Sequence, residues 1–499
     1  MAYEYRVAGK SVRLELDPTT VAVRFHDNLP TSGRARATEA VAGMRPFSAR
    51  YEVPGETLTM VPVKPPSVGG IGPSDAMGAL DGQAGVAKAI PVFRVGNNQV
   101  MPSDRLILGI KDRSRTQDIL AKYKLSSIRE DDGEILARTE ADADVFALCE
   151  KLDAEDAVEF VEPDFITVGR HIPSRPAGTA LAGNDPQAQG QYAMAITQAV
   201  AAQAIQPGRP EIRIAILDEG VDTGHPDLAA AVVESYDAVE DDSYQDPKPW
   251  DGHGTACAGL AAAIAGNGVG IRGTGAGCSI VPVRIAYSAA KGAPWITTTD
   301  MIASGIKWAW REAKADILSN SWGGGTASSA IANAFENART KGRGGLGCVI
   351  VIAAGNEFSE VTFPGTLPNV LTVSASNEFD EIKTPSSSDG ETWWGTCFGP
   401  EVSVAAPGVH NLTTDISGQN GYVVGDYTPN FNGTSSATPI VAGICGLLLS
   451  AHPELQESRI RQAICDTADK IGSEPYVDGR NDFAGFGRIN ALAALNSIR

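Results

Sequence analysis

Three short segments of the 499-residue chain place reactive side chains where a strand or a helix begins or ends. The apolar run Ile212-Arg-Ile-Ala-Ile-Leu217 delivers Asp218, followed by Glu219-Gly220. Asp251-Gly-His253-Gly-Thr255 leads into a small-residue stretch, Ala256 to Ala265; of the six histidines, only this one lies between glycines at a helix start. Asn432-Gly-Thr-Ser435-Ser-Ala-Thr-Pro439 opens the apolar stretch Ile440 to Leu449. Taken singly, each has a plain structural use: a turn acid, a core histidine, a serine N-cap. Taken together they make a nucleophile with its base. A serine hydroxyl is weak unaided, but a helix N-terminus favours developing negative charge. His253 can take its proton, while Asp218 fixes the tautomer and stabilises the imidazolium.

Such groups need a frame. From 184 onward, short apolar runs alternate with helix-compatible segments: Ile212 to Leu217, Ile280 to Val283, Ile317 to Ser319, Val349 to Ala353 and Val370 to Val373. That alternation predicts an α/β fold with a doubly wound, mostly parallel sheet. Its active groups belong at the carboxyl ends of the strands. Upstream, residues 1–65 alternate in strand fashion, with Asp17-Pro18 predicting a hairpin. Residues 66–89 are Gly- and Pro-rich and read as a linker. The stretch 90–168 predicts a small α+β sandwich of the split βαβ kind, with strands at Leu106–Ile110, Glu134–Arg138 and Val158–Val161 and helices at Thr116–Leu125 and Asp142–Leu152. Residues 169–183 read as an exposed tether, and 184–499 as the catalytic domain.

Composition narrows the partners. With 41 basic against 60 acidic residues the net charge is −19, which argues against nucleic acid and against an anionic membrane surface. No secretory signal precedes the first strands, and no run approaches a spanning length. The seven cysteines are odd in number and lack CxxC spacing, so free thiols in a reducing, cytoplasmic setting are expected. Export by a route without a cleaved signal stays open. Gly268-Val-Gly270-Ile-Arg-Gly273 matches GxGxxG but follows a helix, and no acid lies about 20 residues on. Gly433-Thr-Ser435-Ser-Ala437 lacks the last glycine of GxSxG, against an α/β-hydrolase elbow.

The order Asp, His, Ser is that of subtilisin, and the motifs match too. Asp-Glu-Gly at 218–220 with His-Pro-Asp-Leu at 225–228, His-Gly-Thr at 253–255 with Ala258-Gly259, and Gly-Thr-Ser-Ser-Ala-Thr-Pro at 433–439 resemble the subtilases, with a thermitase-like catalytic domain. The resemblance covers about 184–499. It implies a serine endopeptidase acting on protein or peptide substrates, with Asn356 in Val351-Ile-Ala-Ala-Gly-Asn356 as oxyanion donor beside the Ser435 amide. It implies that Ser321, Trp322 and Gly323 pair with substrate backbone, and that Glu357 lies at the rim of the primary specificity pocket. Glu219 departs from the small Thr or Ser usual after the catalytic Asp.

The same resemblance implies structural Ca²⁺. Asp185, in Asn184-Asp185-Pro186, with Asp227 and Asn267 matches a strong site; Asp237, Asp242 and Asp246 match a weaker one. It further implies that residues 1–183 are an inhibitory prosegment, so that the chain is made as a self-processing zymogen. The alternative is a catalytically silent subtilase-like binding module.

Overall fold

The computed structural model describes residues 3–26, 29–39, 41, 58–63, 71–172, 185 and 187–498. Asn184, Pro186, most of the 169–183 tether and the start of the 66–89 linker lie outside the described residues. By internal contacts the chain forms two units. The first is Met1–Arg170 with Gly292–Met301 and Gly325–Ile331; the second is His171–Lys291, Ile302–Gly324 and Ala332–Arg499.

In the first unit the order is β1 (Tyr3–Val7), β2 (Lys10–Leu14), β3 (Leu16–Phe25), α1 (Thr31–Glu39), β4 (Leu58–Pro62) and α2 (Pro73–Asp81). Then come β5 (Val86–Val95), β6 (Asn98–Ile110), α3 (Thr116–Lys122), β7 (Ser126–Asp131), β8 (Glu134–Arg138), α4 (Val145–Asp153) and β9 (Val158–Gly169). The stretch from β6 to β9 has the βαββαβ order, and its core is built by Leu106, Leu108, Ile119, Ile135, Leu152 and Val161. Two expectations differ. The hairpin turns at Ala8-Gly9, between β1 and β2, and β3 runs through Asp17-Pro18. There Asp17 is buried and accepts from Thr19, Arg94 and Gln99, so it seats a register shift instead of a turn. The 66–89 linker also holds ordered structure. Its helix α2 buries Ala76, Met77 and Leu80, and β3 and β4 join β5, β6 and β9 in one sheet. β3 and β4 therefore share a sheet with the strands of 90–168, while β1 and β2 pair in a sheet of their own.

The second unit and the two short segments of the first continue as α5 (Tyr192–Ile196), α6 (Ala199–Gln203), β10 (Arg213–Asp218), β11 (Tyr236–Asp237), α7 (His253–Ala262), β12 (Ser279–Arg284), β13 (Tyr287–Ser288) and β14 (Trp295–Thr298). After these come α8 (Thr299–Arg311), β15 (Ile317–Asn320), α9 (Ser329–Lys341), β16 (Val349–Ala353), β17 (Leu371–Ser376), β18 (Val402–Pro407), β19 (Asn411–Thr414), β20 (Tyr427–Phe431) and α10 (Thr434–Ala451). β14 belongs to the first unit, where it pairs antiparallel with β9, Trp295 opposite Gly169. Within that unit two carboxylates of β9 serve helix starts. Glu162 accepts from Ser328 Oγ and from the Ser329 and Ala330 N–H groups, and Asp164 from the Asp300 N–H.

The sheet of the second unit runs β11-β12-β10-β15-β16-β17-β18, every pair parallel. Its runs of Ile, Val and Ala are buried throughout, as strands covered on both faces must be. Helix α10 has 18 residues with a mean hydropathy of 1.5, enough by length and composition to cross a membrane. It is instead 94% buried as the central helix of this unit's core.

Candidate active site

Asp218 is the last residue of β10. The parallel register sets the strand ends level: Leu217 faces Asn320, which faces Ile352. Residues just past these strands therefore share one edge. His253 begins α7, and its Nδ1 stands 2.8 Å from Asp218 Oδ1 and 3.0 Å from Oδ2, with both side chains buried. An Nδ1–H donated to the carboxylate leaves Nε2 as the basic nitrogen. The close approach depends on Gly254. A Cβ there would lie 2.2 Å from the Gly220 carbonyl oxygen and 3.0 Å from Asp218 Cβ. Phe431 closes the pocket with its ring 5.3 Å from that of His253, at 71°.

Ser435 enters from the N-terminus of α10, after Gly433 at φ +102°, a conformation that suits glycine. Pro439 lacks the N–H that would bond the Ser435 carbonyl four residues back. That carbonyl is taken by the Ser321 hydroxyl at 2.9 Å and approached by the Cys257 thiol at 3.5 Å. In return, the Ser435 hydroxyl donates to the Ser321 carbonyl at 3.1 Å. Burial, then the Asp218 charge, hold the Cys257 thiol well above its ordinary pKa, so it is a neutral donor beside the pair. Asp218, His253 and Cys257 bring three ligand atoms within 4.8 Å of one another. The Nδ1–carboxylate contact and the protonated thiol suit proton transfer better than a metal.

Asn356 lies beyond the end of β16. Its Oδ1 accepts from the Thr434 N–H at 2.8 Å and from the Thr434 hydroxyl at 3.0 Å, which identifies the oxygen and turns Nδ2 the other way. Thr434 thus sets the amide orientation, a role the sequence did not reveal. Glu357 folds back: its Oε2 accepts from the Asn356 N–H at 2.8 Å and from the Cys397 thiol at 3.3 Å. Its carboxylate therefore ties its own loop to Cys397. Ser321, Trp322, Gly323 and Gly324 follow the end of β15 outside the strands, with the Trp322 ring stacked on Phe335 and the Gly324 N–H donating to the Phe363 carbonyl.

The two calcium sets fare differently. Asp185 accepts from the Gly266 and Gly268 N–H groups and pairs with Arg272 at 3.0 Å. Asp227 stands 2.7 Å from the Asn267 amide and also accepts from the Ile271 N–H. The structure thus gathers Asp185, Asp227 and Asn267 around the 266–272 loop. Two carboxylates and an amide fit a hard divalent cation in kind, provided that Arg272 releases Asp185. The second set does not fit. Asp237 is buried against Arg284 at 2.5 Å, Asp242 caps the Tyr244 N–H, and Asp246 accepts from Thr223. The guanidinium already neutralises the one buried acid of the three.

The model of the subtilase family matches residues 209–487. A protein named calcium-dependent protease from Nostoc sp. is 29% identical over 529 residues, covering 97% of this chain and 76% of its own. Thermitase from Thermoactinomyces vulgaris is 36% identical over 313 residues, covering 62% of this chain and 98% of its own. The fold is similar to that of fervidolysin from Fervidobacterium pennivorans, described as a keratinolytic enzyme related to subtilisin. That likeness has a TM-score of 0.62 at 24% identity and covers 79% of this chain and 61% of that one.

Proposed function

The chain belongs to the subtilase family and is a subtilisin-like serine endopeptidase, and from that premise we propose that it cleaves peptide bonds through an acyl-enzyme on Ser435. His253 Nε2 takes the hydroxyl proton as Ser435 attacks, then gives it to the leaving amine. Asp218 keeps Nδ1 protonated and stabilises the imidazolium. Asn356 Nδ2 and the Ser435 N–H receive the charge on the tetrahedral oxygen. One observation carries this reading. The imidazole oriented by Asp218 at 2.8 Å and the amide oriented by Thr434 at 2.8 Å belong to the unit whose helix N-terminus presents Ser435.

Residues 1–183 are read as an inhibitory prosegment that the enzyme removes from itself. The βαββαβ order supports this, as do His171 and Ile172, which lie against the catalytic set. The calcium dependence in the name of the Nostoc relative extends here to the first set. Asp185, Asp227 and Asn267 would hold the ion, which would tie the start of the catalytic domain to its core. The deciding experiment is Ser435→Ala. The parent chain should digest casein and lose its N-terminal region near 165–185, while the variant should fold, stay full length and leave casein intact. Casein cleavage by the folded variant would overturn the assignment.

A further inference from the structure

Hydrolysis accounts for Asp218 but not for the carboxylate beside it. Glu219 is 3% exposed, and keeping a carboxylate from water is costly unless a cation answers it. His171 answers it. Its Nε2 stands 3.0 Å from Glu219 Oε2, and its ring lies flat on that of His253, with centroids 4.2 Å apart and planes at 17°. Asp251 is 2% exposed and accepts the Ser288 N–H at 2.9 Å, while the Ser288 hydroxyl reaches Glu219 at 3.4 Å. Burial by itself would lower the His171 pKa, but the charges of Glu219, Asp218 and Asp251 raise it above the ordinary value. Burial, then Glu219, push Asp251 up to about 8.

Ile172 shows how this segment runs. Its Cδ1 lies 3.4 Å from where a side chain on Gly433 would begin, and Asn356 Oδ1 is as close to that point. Residues 171 and 172 therefore cross the catalytic set from His253 towards Asn356. A peptide attacked by Ser435 must follow that course.

We propose that Glu219 and Asp251 form an acidic subsite over His253 that takes a basic side chain of the peptide substrate, with His171 as its intramolecular occupant. The proposal deepens the endopeptidase reading and rests on it. The residue selected flanks the scissile bond, and its side chain covers the His253 ring. Lys and Arg suit the subsite best, since their charge is permanent at neutral pH.

The test uses protein prepared from the full chain and allowed to process itself. A peptide library places Lys, Arg, Gln, Ala or Glu at each position near the cleaved bond. The expected result is that kcat/KM favours Lys or Arg over Ala by about 10- to 100-fold at one flanking position, the scale of a charge-assisted hydrogen bond. The isosteric change Glu219→Gln should collapse that ratio towards unity, and Asp251→Asn should lower it by less. Cleavage with no charge preference, or a ratio unchanged in E219Q, overturns the subsite and leaves the endopeptidase standing. If no peptide is cut and Ser435 takes no fluorophosphonate, both readings fall. Should E219Q fail to fold, the library profile of the parent enzyme decides.

Discussion

Thr434 holds the oxygen end of the Asn356 amide, so in the proposed mechanism two side chains set how the oxyanion is received. Asn356→Ala should lower kcat by ~10²–10³ with little change in KM, because the lost bond exists only in the transition state. Thr434→Val keeps the N–H and removes the hydroxyl, so it should cost roughly tenfold, the worth of one hydrogen bond. Steady-state kinetics on a peptide amide checks both. Asp218, His253, Ser435 and Asn356 were legible in the sequence because each lies in a short motif at an element boundary. Glu219 stood out there only as a departure, since its partner His171 lies far upstream and no periodicity connects them. The resemblance implied a cation site at Asp237, Asp242 and Asp246, but it says nothing of Arg284, which reaches Asp237 from the neighbouring strand.

Elements carry the next pair of predictions. Helix α7 meets the end of β10 only because residue 254 has no side chain. Gly254→Ala puts a Cβ 2.2 Å from the Gly220 carbonyl oxygen, so the helix must move. We expect activity to fall by about 10²-fold or more, the cost of a misplacement near 1 Å. Retained activity would show that α7 has slack. The turn between β18 and β19 carries a pH dependence. His410 contacts Glu391 and Glu378, which raise its pKa to about 9, and its backbone N–H donates to the Asn432 side chain just before α10. The folded value lies above the unfolded value near 6.5, so this stability is full below about pH 6.5 and is lost as pH rises through about 9. The Tm of the parent should drop from pH 6 to pH 10 by more than that of His410→Asn; equal drops would contradict the pairing. The strands of the second unit were legible as continuous apolar runs. Helix α2 was not, because its Ala-, Gly- and Pro-rich composition hides the three residues it buries.

At the scale of the molecule, the doubly wound sheet was readable from the order of elements, and the joining of β3 and β4 to the strands of 90–168 was not. Strand pairing across a sheet is non-local, and nothing in β3 names β5 as its neighbour. Calcium belongs at this scale too, since Asp185 and Asp227 come from distant segments. A chelator should lower Tm, and Arg272→Ala should tighten calcium binding by freeing Asp185, as read by calorimetry. An unchanged Tm would remove calcium from the account. The central claim is that Ser435 is a nucleophile activated by His253 and Asp218. Intact-mass and peptide mapping after treatment with a fluorophosphonate test it most directly. A single adduct on Ser435, lost in His253→Ala and greatly slowed in Asp218→Asn, is the predicted result. No adduct on the processed enzyme, or an adduct that forms as fast without His253, would contradict it.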